Sequence, residues 1–203
     1  MALEVWLIYL LAAVLLSLTP GPNGLLALTN GALYGLKKTL YMVAGGALGF
    51  TLVIALSMVG IGALLQASSN ILLIMKWIGG AYLVWLGIQI WRSSPPDISV
   101  RPNVMSPSAN KLFTTGFLAA VSNPKAILFF GAFLTQFIDP QRDIFIQFVI
   151  MAATFVVIEI ITEILIAVLA ARVRHWLQRF GRRFNQVCGG MFAVIGISLP
   201  FSN

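Results

Sequence analysis

The amino-acid sequence predicts an all-α integral membrane protein with six transmembrane helices arranged as a 3+3 inverted repeat. Hydrophobic residues make up 59% of the 203 positions and charged residues only 9%, whereas soluble domains carry about 25% charged residues. Apolar stretches of about 20 residues, the length that crosses a bilayer, recur along the chain. The length suits one membrane domain, so residues 1–203 are expected to form a single polytopic unit in the lipid bilayer.

The charged and reactive residues exclude several functional classes. The formal net charge of +7 does not indicate nucleic-acid binding, because the basic residues lie between apolar stretches rather than on a soluble amphipathic surface. The only cysteine is Cys188 and the only histidine is His175, so a thiolate metal cluster or an HExxH motif cannot form. We therefore expect no enzymatic activity, no metal and no cofactor.

The first predicted span, residues 3–34, is interrupted at residues 19–23 by the motif TPGPN, which we call the first elbow. Each proline removes a backbone donor and clashes with the preceding turn, so two half-helices joined by unwound backbone are expected. Either Thr19 or Gly21 would cap the second half-helix, because a proline suited to the first helical position follows each of them.

The second and third predicted spans are residues 40–65 and 71–91. Gly45 and Gly49 give the second span a face of small residues, which predicts close helix packing and could equally support a homodimer. From residue 93 to residue 111 the composition changes to serine, proline and asparagine, which is typical of a connector.

The fourth predicted span, residues 112–138, is broken at residues 122–125 by the motif SNPK, which we call the second elbow. The fifth span is predicted at residues 145–171. A basic segment follows at residues 172–183, and its spaced aromatic and apolar residues favour a position along the membrane surface. The sixth span is predicted at residues 184–201 and is barely long enough to cross the bilayer.

The two halves, about 1–92 and 112–203, each begin with a proline-broken helix. Three spans per half place the halves in opposite orientations, which is the pattern of an inverted repeat; the alternative is a coincidence of two unrelated proline kinks. The loops that follow spans two and four, on the other side of the membrane, contain Arg142 as their only basic residue. By the positive-inside rule both termini face outward, and the connector at 93–111 faces the cytoplasm. The basic residues that follow spans one, three and five are Lys37, Lys38, Arg92, Arg101, Lys111, Arg172, Arg174, Arg179, Arg182 and Arg183.

Lys125 is the basic residue that lies inside a break. Asn123 is expected to cap a half-helix that Pro124 opens, so Lys125 adds a positive charge beside a positive helix end. The half-helix that follows the first elbow offers a second such end facing the same region. A carboxylate is the natural occupant of a cavity between these two helix ends.

The fifth span supplies the opposite charge. Glu159 is about 20 Å from either edge of the span, close to the bilayer midplane, and Glu163 lies on the same helical face one turn away. Desolvation and mutual repulsion make the charged forms costly, which favours a group that binds and releases a proton. The alternative is that one glutamate only neutralises Lys125 in a buried pair.

Three motifs carry a resemblance to a known family. They are SLTPGPN at residues 17–23, KWIGGAYLVWLG at residues 76–87 and NPKA at residues 123–126. In order and spacing, and over essentially the whole chain, the sequence resembles the LysE/RhtB superfamily of bacterial amino-acid exporters. Some members of this superfamily also have an acidic residue at the level of Glu159 in the fifth span, which is a further resemblance.

The resemblance implies an inner-membrane transporter that exports an amino acid or derivative by antiport with protons. From the residues themselves, our hypothesis is that the substrate carboxylate lies near Asn23, Asn123 and Lys125 and its ammonium group near Glu159. Glu159 and Glu163 are the candidate proton-coupling groups, although the resemblance extends only to Glu159. A passive channel or a membrane-embedded scaffold is the alternative, since the same polar groups could line a pore. The expected substrate-binding residues are Thr19, Gly21, Asn23, Asn123, Lys125 and Glu159.

Overall fold

A computed structural model describes residues 1–19, 21–67, 69–93, 107–139 and 141–198, and the regular elements in this part of the chain are all helical. Most of the predicted connector lies outside the described residues, and a helix already begins at Ala109 within it. The helices are α1 (Leu3–Leu18), α2 (Pro22–Ala67), α3 (Ser69–Arg92), α4 (Ala109–Val121), α5 (Pro124–Phe133) with a 3₁₀ turn (Leu134–Phe137), α6 (Ile144–Val168) and α7 (Ala170–Ser198).

Two of the described helices are long and apolar enough to cross a membrane, in α2 over Pro22–Gly60 and in α6 over Ile144–Val168. A third span results if α4 and the start of α5 count as one bent element. Helix α1 is apolar but shorter, with 16 residues. The helices therefore agree with the predicted all-α membrane class, whereas the number of six spans stays a prediction.

The first elbow separates α1 from α2. Thr19 ends α1, because its backbone N–H and its hydroxyl both donate to the carbonyl oxygen of Leu15, at 3.1 and 2.7 Å. Gly21 starts α2, because its carbonyl oxygen accepts the first helical bond from the Leu25 N–H at 2.9 Å. Of the two possible caps, Gly21 is thus the residue that begins the second helix.

The second elbow separates α4 from α5, whose axes differ by 46°. The side-chain oxygen of Asn123 accepts a hydrogen bond from the Lys125 backbone N–H at 3.1 Å, and Pro124 occupies the first turn of α5. Below this cap, buried aromatic rings hold α5 in place: Phe130 packs edge-on against Phe155 of α6, with ring centroids 4.8 Å apart. The position of Lys125 is therefore fixed by a capped and well-packed helix.

Lys37 and Lys38, where the sequence predicts a connection between spans, follow a kink that joins two helical segments within α2. Both basic residues lie within α2, and the helical geometry is interrupted at Gly35 alone, with φ 73° and ψ 173°. Essentially only glycine adopts this combination of angles, because a Cβ atom would clash with the backbone. A single glycine therefore replaces the expected loop.

Substitution of Gly35 by alanine is expected to destabilise the protein by about 1–3 kcal/mol, because alanine must adopt a disfavoured backbone conformation. The free energy of unfolding in detergent micelles measures this change. Gly60→Ala is the matched control, since Gly60 lies in the same helix and an added Cβ meets nothing within 4 Å. Equal unfolding free energies for the two variants would contradict the account of Gly35.

The predicted division between a surface segment at 172–183 and a last span at 184–201 is wrong. The structure has one continuous helix, α7, over Ala170–Ser198, and residues 199–201 lie outside the described part. No proline occurs within α7, so nothing in the backbone forces a break where the amphipathic segment ends. Among the side chains of its first half whose burial is described, the exposed arginines are Arg172, Arg179, Arg182 and Arg183.

Close helix packing, which the glycine faces predict, occurs inside this chain. A Cβ atom on Gly45 would overlap the carbonyl oxygen of Phe113 in α4, and one on Gly116 would overlap the carbonyl oxygen of Met42 in α2. Gly87 of α3 and Gly189 of α7 meet in the same way. The face at Gly45 is therefore occupied by α4 and is not free to pair with a second copy.

Candidate functional site

The side chain of Lys125 links the second elbow to the first. Its ammonium nitrogen donates hydrogen bonds to the carbonyl oxygens of Leu16 and Thr19, at 2.7 and 2.8 Å. These oxygens lie at the carboxyl end of α1, where the last carbonyls lack helical partners and carry partial negative charge. A Cβ atom on Gly21 would lie 3.1 Å from the ammonium nitrogen, so Gly21 also borders this contact.

This placement differs from the predicted one in a specific way. The sequence places the charge of Lys125 beside the positive end of α5, whereas the structure extends the side chain to the negative end of α1. Among the described residues the only salt bridge joins Arg142 to Asp139, at 3.0 Å, so Lys125 forms no ion pair with either glutamate of α6. Glu159 nevertheless neighbours Lys125, so the alternative that one glutamate only neutralises Lys125 stays a prediction.

Glu159 and Glu163 are buried on one face of α6, with 7% and 1% of their surfaces exposed. One carboxylate oxygen of each has no hydrogen-bond partner among the described residues. Glu159 neighbours Ser17 and Lys125, and Glu163 neighbours Asn23. Two carboxylates in an apolar helix thus face the elbows rather than lipid, as intramembrane acidic residues generally do.

Asn23 lies at the start of α2 and is 1% exposed. Its amide nitrogen is 3.4 Å from the carbonyl oxygen of Gly116 in α4, and its side-chain oxygen has no hydrogen-bond partner in the part of the chain that the structure describes. A Cβ atom on Gly46 would lie 2.7 Å from the Asn23 amide nitrogen and 3.7 Å from a Glu163 oxygen. Gly46 therefore provides the space that lets Asn23 approach Glu163.

The structure brings the predicted site residues into two adjoining groups. Thr19, Gly21 and Asn123 surround Lys125 at the meeting point of the elbows, and the amide nitrogen of Asn123 would lie 3.9 Å from a Cβ on Gly21. Glu159 borders this group, while Asn23 and Glu163 form the second group.

Sequence reasoning misses Ser17, Gly46 and Cys188 as parts of this region. Ser17 is 6% exposed, and its hydroxyl oxygen has no hydrogen-bond partner within the described ranges. Cys188, the only cysteine of the sequence, is buried in α7 next to Thr19 and Lys125. Ser17 could have been noticed as a polar residue within an apolar helix, whereas nothing in the sequence places Cys188 at the elbow.

A cavity of about 280 Å³ lies beside the first elbow, between α1, α2, α6 and the start of α7. Its polar lining residues are Ser17, Thr19 and Thr162, and the rest of its wall is apolar apart from Gly24. Neither glutamate of α6 nor Lys125 lines it directly. Ser17 and Thr19 therefore separate an apolar space from the charged groups.

Comparison with known proteins gives consistent findings. The family model described as LysE type translocator matches residues 14–202. An uncharacterized membrane protein of Vibrio cholerae is 38% identical over 202 residues, covering 98% of both chains. The homoserine/homoserine lactone efflux protein of Salmonella typhimurium is 33% identical over 98% of this chain and 97% of its own. The leucine efflux protein of Klebsiella pneumoniae is 31% identical over 75% and 73%, respectively. No solved structure matches the chain significantly.

Proposed function

The chain belongs to the LysE family of translocators, and we propose that it is an amino-acid exporter of the bacterial inner membrane that exchanges its substrate for protons. Relatives named for the efflux of homoserine, homoserine lactone and leucine support the transport of an amino acid or a close derivative. The observation that carries the proposal is the meeting of Lys125 with the first elbow next to two buried glutamates that it does not pair with.

A zwitterionic amino acid is complementary to these groups. A lysine ammonium has three donors, and two of them are used by the carbonyl oxygens of Leu16 and Thr19. The third can bind the substrate carboxylate, together with the amides of Asn23 and Asn123. The substrate ammonium group then binds Glu159, whose carboxylate retains an unpartnered oxygen. Binding thereby supplies partners to buried polar atoms that otherwise lack them.

Competition for Glu159 gives proton coupling. A carboxylate that carries a proton binds an ammonium group weakly, and one that binds an ammonium group does not take up a proton. Substrate binding from the cytoplasm and proton uptake from the outside are therefore alternatives, which is the requirement for antiport. Glu163, one turn along α6 beside Asn23, is proposed as a second proton-coupling group.

Helix packing supports the inverted repeat that we propose for this transporter. The pair α1 and early α2 corresponds to the pair α4 and α5. Helix α6 packs on the first pair, through Tyr9, whose hydroxyl donates to the carbonyl oxygen of Met151 at 2.9 Å. The later part of α2 packs on α4 through Gly45. Each broken helix thus contacts the long helix of the opposite half, with both termini proposed to lie outside.

Transport by the purified protein in proteoliposomes tests this function. A panel of labelled amino acids is offered with and without an imposed pH gradient, and we expect at least one to accumulate only when the gradient is present. Downhill flux of the amino acid that does not depend on the pH gradient would indicate a passive channel. The absence of flux for every amino acid and derivative tested would indicate a scaffold. Either result would contradict the proposal.

A further inference from the structure

We infer that the cavity beside the first elbow receives the side chain of the substrate and selects amino acids with an apolar side chain. This inference rests on the proposed function and specifies the substrate class of the same site. It depends on the apolar cavity wall, on the polar end of the cavity at Ser17 and Thr19, and on a volume that admits an amino-acid side chain.

The cavity wall is apolar on three sides. Leu25 and Leu28 face it from α2, Leu165 and Ile166 from α6, and Phe184 from α7. None of the residues that line it in the described part of the chain is charged. A charged side chain entering this space would lose its hydration without gaining a counter-charge, whereas an apolar one would be removed from water favourably.

One end of the cavity is polar and adjoins the proposed binding groups. The carbonyl oxygen of Thr19 accepts a hydrogen bond from Lys125, and Ser17 neighbours Glu159. Ser17 is 6% exposed and its hydroxyl adjoins the Glu159 carboxylate, so a ligand that binds Glu159 also meets this hydroxyl. An amino acid whose polar groups reach Lys125 and Glu159 therefore extends its side chain past Ser17 into the apolar space.

The volume limits the size of the occupant. At about 280 Å³ the cavity lies just below the range of about 300–1,000 Å³ that is typical of sites for drug-sized ligands. It therefore has room for an amino-acid side chain. A lipid acyl chain is the competing occupant, and substrate selectivity distinguishes the two because lipid does not change the preference among amino acids.

Gly24 offers a way to fill the cavity without disturbing the charged groups. A Cβ atom on Gly24 would meet only the terminal methyl of Ile166, at 3.8 Å, which is an ordinary van der Waals contact. Gly24→Ala should therefore be tolerated, and Gly24→Leu should extend into the cavity. Gly131→Leu is the matched control, since Gly131 does not line the cavity and a Cβ there meets nothing within 4 Å.

The test measures competition in proteoliposomes between a labelled amino acid that the wild-type protein transports and unlabelled leucine, methionine, alanine, serine, lysine and glutamate. For the wild type and Gly131→Leu we expect leucine and methionine to compete at least about 10-fold better than alanine, and about 100-fold better than lysine. Gly24→Leu should lose the advantage of leucine over alanine while still transporting alanine. If Gly24→Leu does not fold, Gly24→Ala should show a smaller loss in the same direction.

Two results would overturn the inference, and a third would contradict the proposed function. A wild-type preference for lysine or glutamate would overturn it. An unchanged order of competitors in folded Gly24→Leu or Gly24→Ala would also overturn it and leave lipid as the occupant. Transport of none of the amino acids by the wild type would instead contradict the proposed function, so the failure of the two claims can be told apart.

Discussion

Lys125→Met is expected to lower the initial rate of export at least about 100-fold. The substitution keeps a long side chain but removes the hydrogen bonds that Lys125 donates to the carbonyl oxygens of Leu16 and Thr19. It also leaves Glu159 without the neighbouring positive charge. The substrate carboxylate would also lose its charged hydrogen-bond donor, which costs about 2–5 kcal/mol of binding, and each 1.4 kcal/mol corresponds to a tenfold change.

The rate is measured per folded transporter in proteoliposomes, after size-exclusion chromatography has given the folded fraction. Lys111→Met is the matched control, because Lys111 is exposed near the start of α4 and should retain the wild-type rate. A rate for folded Lys125→Met within about twofold of the control would show that the contact between the elbows is dispensable, and the proposed binding arrangement would then be wrong.

Gly116→Ala is expected to cause a large loss of stability, about 1–3 kcal/mol or more, because it overpacks the interface between α2 and α4. The added Cβ would overlap the carbonyl oxygen of Met42, which belongs to backbone rather than to a flexible side chain. Separation of the helices would also disturb the 3.4 Å contact between Asn23 and the Gly116 carbonyl oxygen.

The midpoint of thermal unfolding in detergent measures the effect of Gly116→Ala. Gly131→Ala serves as the reference, since its Cβ would point into open space. We expect Gly116→Ala to unfold several degrees below this reference. Coincident midpoints would mean that α2 and α4 can separate at no cost, against the packing described above.

Local stereochemistry explains which parts of the fold could be predicted from sequence. The chain leaves helical geometry near residues 19–23 and 122–125, where proline cannot donate a hydrogen bond and asparagine or glycine can cap the next helix. The predicted limits of the first two spans, residues 34 and 40, enclose the break at Gly35, but a glycine within a helical pattern gives no signal that its φ is positive. Nor could an amphipathic pattern show that α7 continues beyond residue 183.

The contacts of the candidate site depend on tertiary structure, so fewer of them could be predicted from the sequence. Asn123 binds a backbone group two residues away, so its role as a cap follows from local sequence. Lys125 binds carbonyl groups 109 and 106 residues earlier, and its long side chain could have reached several partners. The cavity beside Ser17 depends on how four helices pack, which no sequence spacing specifies.

The most direct test of the central claim is gradient-driven accumulation by Glu159→Gln in everted membrane vesicles with an acidified lumen. Glutamine preserves the size of the side chain but cannot bind and release a proton. We expect the wild type and Glu4→Gln, a control at an exposed position in α1, to accumulate the labelled substrate, while Glu159→Gln shows no accumulation above equilibrium. Accumulation by folded Glu159→Gln at the wild-type level would contradict proton coupling through this carboxylate.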